Sequence, residues 1–419
     1  MHLSANNNKI NPVEVALFIA SFLLFRLFLI VSLYILTNGQ ELASDNVFHE
    51  IIINNPLGIL NGTAIHIASY PPLQWIIEWP LFNLFSLHFS EMISYRLMMC
   101  TIEFVSFLVL IKICRLSGLK KMMKMAILIF FIVSPHQYFS SVFFIQEDVI
   151  AQLFMLIALA FILEKKRMLC IFVLVMGVLS AKLFFVIPLF YIVIFQGNHK
   201  FINRVFHGIS ALIPLIIIYC ISIINALNNG GEVPIRDFTP DAAYAANYWV
   251  ILLNMYPDSL TLFKNISVYI SALVQLLLFS VLLFISSKRT VSWSPTILLT
   301  IPLGFFFGTF YQHMPEYLLM LWPAAALLCT AVWHQVIIVS ALSFAWAPRI
   351  FHGLVTVTEN FGTAAEARNE VIGPLINMVS FDFAYLNHVA LVLQSIFYFM
   401  LLVWLCTLSW NAQINNKQQ

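Results

Sequence analysis

The sequence predicts an all-α protein that crosses a membrane about 10 to 12 times. Three observations carry that prediction. The 419 residues are 61% hydrophobic and only 10% charged, with a mean hydropathy of +0.91; a soluble domain is about a quarter charged. Apolar runs recur along the whole chain. Charge is sorted between alternate loops.

A spanning helix needs about 20 apolar residues. Candidate spans lie near 13–37, 92–112, 125–141, 148–163, 168–181, 183–196, 205–227, 264–286, 294–311, 317–335, 336–348 and 386–410. The shorter runs fit half-spans or re-entrant helices as well as full crossings. The first run, Val13 to Thr37, is too long for a signal-peptide core and no small-x-small site follows it. It is expected to be an uncleaved span. No repeat, low-complexity segment or separable soluble domain interrupts the chain. One integral-membrane domain over 1–419 is therefore expected.

Orientation follows from basic residues, which stay on the cytoplasmic side. Loops holding Lys112 to Lys124, Lys165 to Arg167, Lys200 and Arg204, and Lys288 and Arg289, together with Lys9 and Lys417, carry 14 of the 21 lysines and arginines. The alternate loops carry 16 of the 19 acids. Both ends are thus expected in the cytoplasm. The first outer loop, Asn38 to Glu91, contains "SYPPLQWIIEWPLFNLF", which is aromatic and amphipathic. It reads as helices lying along the membrane surface.

Several function classes are excluded by what the chain lacks. It has no basic tract for nucleic acid, no phosphate-binding Gly-rich loop, no dinucleotide fingerprint, no serine elbow and no paired-histidine zinc signature. The six cysteines form no close pair, so neither a disulfide framework nor a metal site is expected.

The candidate chemistry lies in the outer loops. "FFIQEDVIAQLF" places Glu147 and Asp148 between two apolar runs. A charge at the bilayer centre costs about 2.5–3.5 kcal/mol on insertion scales, so these acids belong at a membrane edge, against a partner or in a wet cavity. Helix N-terminal acids are also favoured by the dipole alone. Asp45 reads as a solvated loop acid or as a general base poised over a hydroxyl. Lys182 in "LSAKLFFVIP" falls near the outer face against the charge rule. It either snorkels to headgroups or offers a point charge to a phosphate. Arg96 and Arg236 could serve likewise. "YQHMPEYLLMLWP" carries His313, Glu316 and Tyr317 at an outer helix start, where they could bind sugar or phosphate. Arg26 and Glu103 lie deep in the first two spans and are expected to pair.

Taken together, the first-loop acid, "YPPL" from Tyr70, "QED" from Gln146 and "AK…P" (Ala181, Lys182, Pro188) resemble the type C (GT-C) integral-membrane glycosyltransferases. The likeness covers roughly residues 10–200, as a GT-C-like module followed by variable C-terminal helices over 201–419. Within that family, size and the plain C-terminal end resemble bacterial serotype-converting glucosyltransferases of O-antigen. The resemblance implies a polyprenyl-phosphate sugar as donor, a periplasmic glycan acceptor, a bacterial inner-membrane location and an active site on the outer face. It implies Asp45 as base, Glu147 and Asp148 as a second acidic motif, and Lys182 near the donor phosphate. It also implies that Tyr70, His313, Glu316 and Tyr317 contact sugar, and that a donor-making synthase and a flippase act as partners. The first loop lacks the common Asp-x-Asp form, which argues against a required metal; no cofactor is expected. Two rivals are a transporter or flippase, which would show inverted repeats and broken midplane helices, and an O-antigen polymerase or ligase, which would gather arginines in its outer loops.

Overall fold

The structure is a computed structural model. It describes residues 10–36, 46–63, 71–196, 201–229, 259–288, 293–310, 315–344 and 383–415, with Trp249, Leu252, Met255, Tyr256 and Trp346 between them. All regular structure among these residues is helical. The chain divides into two compact units, one built mainly from residues up to Asp237 and the other from Phe238 onward.

The first unit begins with α1 (Pro12–Leu36), followed by α2 (Asn46–Asn54), the single turn α3 (Gly58–Asn61) and α4 (Trp75–Ser86). It continues with α5 (Glu91–Leu116), α6 (Lys121–Val133), the short α7 (Pro135–Tyr138) and a π-helical turn, Phe139–Phe143. Last come α8 (Asp148–Leu163), α9 (Arg167–Ser180), α10 (Val186–Phe195) and α11 (Phe201–Asn228). α8 is the centre of the unit, packed between α5 and α9. Its Val149, Ile150, Leu156 and Leu159 are buried.

Four described helices are long and apolar enough to cross a membrane: Pro12–Ile35, Glu91–Leu116, Gly208–Asn228 and Asn265–Ser286. A fifth crossing results if α6 and the segment Pro135–Phe143 count as one span bent by 42°. The expected span near 125–141 is therefore kinked, and the cause is Pro135, which cannot continue the ladder. The other apolar helices are shorter, between 10 and 17 residues. α1 and α11 expose Leu24, Phe28, Ile35, Ile213, Ile216 and Ile224. Such large apolar surfaces need an apolar surround. The protein is an all-α, multi-pass membrane protein.

The kink is braced by the expected ion pair. Arg26 donates through Nε and Nη2 to the two Glu103 oxygens at 2.8 and 2.5 Å. The same guanidinium donates to the carbonyls of Ile132 and Phe131 at 2.8 and 3.4 Å. Those carbonyls end α6 and have no partner further along the helix. α3 is pinned to α11 in a different way. Ser222, Asn225 and Asn229 donate to the carbonyls of Ile59, Leu60 and Asn61. Gly62 caps α3 at φ 72°, and a Cβ there would lie 2.3 Å from the Ala226 nitrogen.

The second unit contains the helices Leu260–Lys288, Pro295–Thr309, Trp322–Leu328, Val332–Phe344 and Phe383–Asn415, with a 3-10 turn at Pro315–Met320. The expected span 317–335 is not one helix: it breaks at Leu321 and again at Cys329. Gly304 and Gly308 let the helix Phe383–Asn415 approach closely, because a Cβ at either would meet Leu402 within 3 Å. Tyr398 uses that approach to donate to the Gly304 carbonyl at 2.7 Å.

Candidate functional site

The first unit gathers buried charge where four chain segments meet. Backbone geometry prepares the place. α9 ends with the Gly177 carbonyl accepting the amides of both Ala181 and Lys182, at 2.9 and 3.0 Å. The chain then turns extended, which releases Lys182 from the helix. The neighbouring Leu179 carbonyl takes the amide of Leu73 at 2.9 Å. That bond seats the segment after Pro71 and Pro72 against the end of α9.

The third segment is the turn before α8. Ile145 has φ 50°, a left-handed conformation that is an outlier for a β-branched residue. Strain of this kind costs about 1–3 kcal/mol and persists only where the surroundings impose it. The surroundings are visible. The Gln146 amide donates back to the Ser140 carbonyl at 2.8 Å, and Arg96 of α5 donates through Nε to the Val142 carbonyl at 3.2 Å. π-helical turns such as the adjoining Phe139–Phe143 are frequent at functional sites.

These segments bring Lys182 to the acids. Its Nζ lies 2.5 Å from Glu147 Oε1 and 3.6 Å from Asp148 Oδ2. Glu147 and Asp148 are buried, and the lysine side chain is 14% exposed. The second oxygen of Glu147 accepts no hydrogen bond among the described residues. Burial works against the Glu147 carboxylate, but the Lys182 ammonium, and after it the His49 imidazolium, outweigh that and hold the carboxyl down to about 2.

α2 supplies the fourth segment and a histidine that sequence reasoning did not single out. His49 is buried, with Nδ1 3.0 Å from Glu78 Oε2 and Nε2 2.8 Å from the Ile145 carbonyl. The other Glu78 oxygen accepts from Gln74 Nε2 at 2.6 Å. Burial opposes the charged imidazole, yet the Glu78 carboxylate overrides it and raises the His49 pKa to about 9. Two carboxylates, Glu147 and Asp148, thus meet Lys182, and a third, Glu78, meets His49. Removing one partner from such a buried set leaves an uncompensated charge.

The remaining expected site residues fall elsewhere. Asp45, Tyr70, Arg236 and His313 lie outside the described residues. Glu316 and Tyr317 belong to the 3-10 turn of the second unit, where Tyr317 is buried. Arg96 is fully buried with its Nε committed to a carbonyl. Among the described residues, no group of His, Cys, Asp and Glu has the arrangement of a metal site.

The described residues form a helical, multi-pass membrane protein whose first unit holds a buried ionic cluster at the start of α8. No family model, curated protein or solved structure matches the chain.

Proposed function

We propose that this protein is a glycosyltransferase. It moves a sugar, glucose by the resemblance, from a polyprenyl phosphate to a glycan acceptor such as O-antigen, outside the bacterial inner membrane. The observation that supports this most is the partly exposed Lys182 ammonium held against the buried Glu147 and Asp148. The pairing joins, over 35 residues, two motifs that the resemblance assigns to donor phosphate and acid chemistry.

The chemistry follows from charge. A polyprenyl-phosphate sugar is already activated, so no nucleotide is needed. As the anomeric carbon–oxygen bond breaks, the phosphate gains a second negative charge, which Lys182 would stabilise. The acceptor hydroxyl attacks from the far side, the new carbon–oxygen bond forms with inversion, and its proton passes to a carboxylate. Asp45 is the candidate base. Paired with Lys182, Glu147 is too acidic for that task. When the phosphate draws Lys182 away, Glu147 becomes a better base, which makes it the second candidate.

The test uses purified protein, polyprenyl-phosphate sugar and acceptor glycan, without nucleotide sugar. Asp45→Asn keeps the size of the side chain and loses its proton affinity. It should lower transfer by about 10²-fold or more while donor binding persists. Full activity in that variant would move the base to Glu147. Translocation of a lipid-linked glycan with no transfer from any polyprenyl-phosphate sugar would replace the enzyme with a flippase.

A further inference from the structure

Both sides of the Glu147–Lys182 pair are reached by one chain of hydrogen bonds through side chains and backbone. On the acid side, the Ile145 carbonyl accepts from His49 Nε2, two residues before Glu147. On the lysine side, Gln74 follows Leu73, whose amide is bound to Leu179, three residues before Lys182. Glu78 joins the two, accepting from Gln74 on one oxygen and facing His49 on the other. A carbonyl cannot donate, so His49 Nε2 carries a proton. Glu78 already accepts from Gln74, which suits it as the acceptor for Nδ1 as well. His49, Gln74 and Glu78 are all fully buried, so water does not substitute for these bonds at the surface.

We propose that His49 is a positioning residue. Held by Glu78, it fixes the Ile145 turn and so aims Glu147 and Asp148 at Lys182. Its consequence for sugar transfer rests on the glycosyltransferase reading; its effect on the ion pair does not. Nothing in the acid motif or in Lys182 places His49. It enters from α2, 96 residues before Ile145.

The test compares the full-length wild type with His49→Leu and His49→Gln in detergent, by two readouts. One is acetylation of Lys182 by acetic anhydride, followed by mass spectrometry against Lys166 as internal standard. The other is the kcat of transfer. In His49→Leu, Lys182 should be acetylated several-fold faster and kcat should fall about ten-fold or more, since small misplacements at a reacting centre are costly. His49→Gln retains an N–H that reaches the Ile145 carbonyl and should recover most of both. If His49→Leu does not accumulate as folded protein, Glu78→Gln, which removes the charge that orients the imidazole, should give the same pair of changes. Unchanged Lys182 reactivity, or a Gln variant no better than the Leu variant, would overturn the brace. Protection of Lys182 that behaves as described, in a protein that transfers no sugar, would uphold the brace and remove the glycosyltransferase reading. Wild-type transfer with His49 variants that match it would do the reverse.

Discussion

Ile145 sits in a conformation its side chain disfavours, and the bonds around it decide whether the neighbouring acids are aimed. The two shifted groups beside it set a pH window. His49 has its pKa raised from 6.5 to about 9. Its contribution to stability is complete below 6.5 and disappears as pH rises through 9. Glu147 is lowered from 4.5 to about 2, so its contribution is present above 4.5 and fades as pH falls toward 2. Thermal melts in detergent should therefore show a downward slope between pH 6.5 and 9 that Glu78→Gln flattens; equal slopes would mean that His49 is not charged in the fold. At this scale the sequence was partly legible. Glu147, Asp148 and Lys182 stood out because each carries charge inside an apolar context. His49 and Glu78 did not, because the amphipathic first outer loop reads as lying on the membrane surface, where an acid or a histidine needs no buried partner. Their pairing spans 29 residues with no period to betray it.

The helices show the same division between what is local and what is not. The apolar run 125–141 reads as one span, so neither the break at Pro135 nor its brace was expected. The Arg26–Glu103 pair was expected from two charges at similar depth, whereas the carbonyls of Phe131 and Ile132 became its partners only through the 42° bend. Glu103→Gln should strand the Arg26 charge and destabilise the protein by about 3–5 kcal/mol. Unchanged melting and expression would show that the charge is solvated. A second weak point lies where α3 meets α11. Gly62→Ala would strain a left-handed residue and drive a methyl into the α11 backbone, and should cost at least about 1–3 kcal/mol. A melting point equal to wild type would contradict that close approach. The span near 317–335 failed as one helix because apolar composition does not register a break. The breaks fall at Leu321, just before Pro323, and at Cys329.

Across the whole molecule, composition was enough for the class and hydropathy for most helix positions. α8 in particular falls on residues 148–163, as expected. The number of crossings was not legible. A helix of 16 residues spans about 24 Å, short of the roughly 30 Å hydrocarbon core, and apolar composition alone does not separate a buried half-span from a crossing. The charge pattern predicts that both ends face the cytoplasm; impermeant labelling of single cysteines placed near residues 5 and 417 should fail in intact cells, and labelling of either would reverse the orientation. Whether the Lys182 cluster serves sugar transfer from a polyprenyl phosphate is decided in proteoliposomes. They would hold wild type or Lys182→Ala, a labelled polyprenyl-phosphate glucose and an O-antigen acceptor, with no nucleotide sugar. Wild type should add the mass of one hexose to the acceptor. Lys182→Ala should bind the donor more weakly and transfer more slowly. Transfer by Lys182→Ala at the wild-type rate, or no hexose gain from polyprenyl-phosphate glucose, would contradict that role.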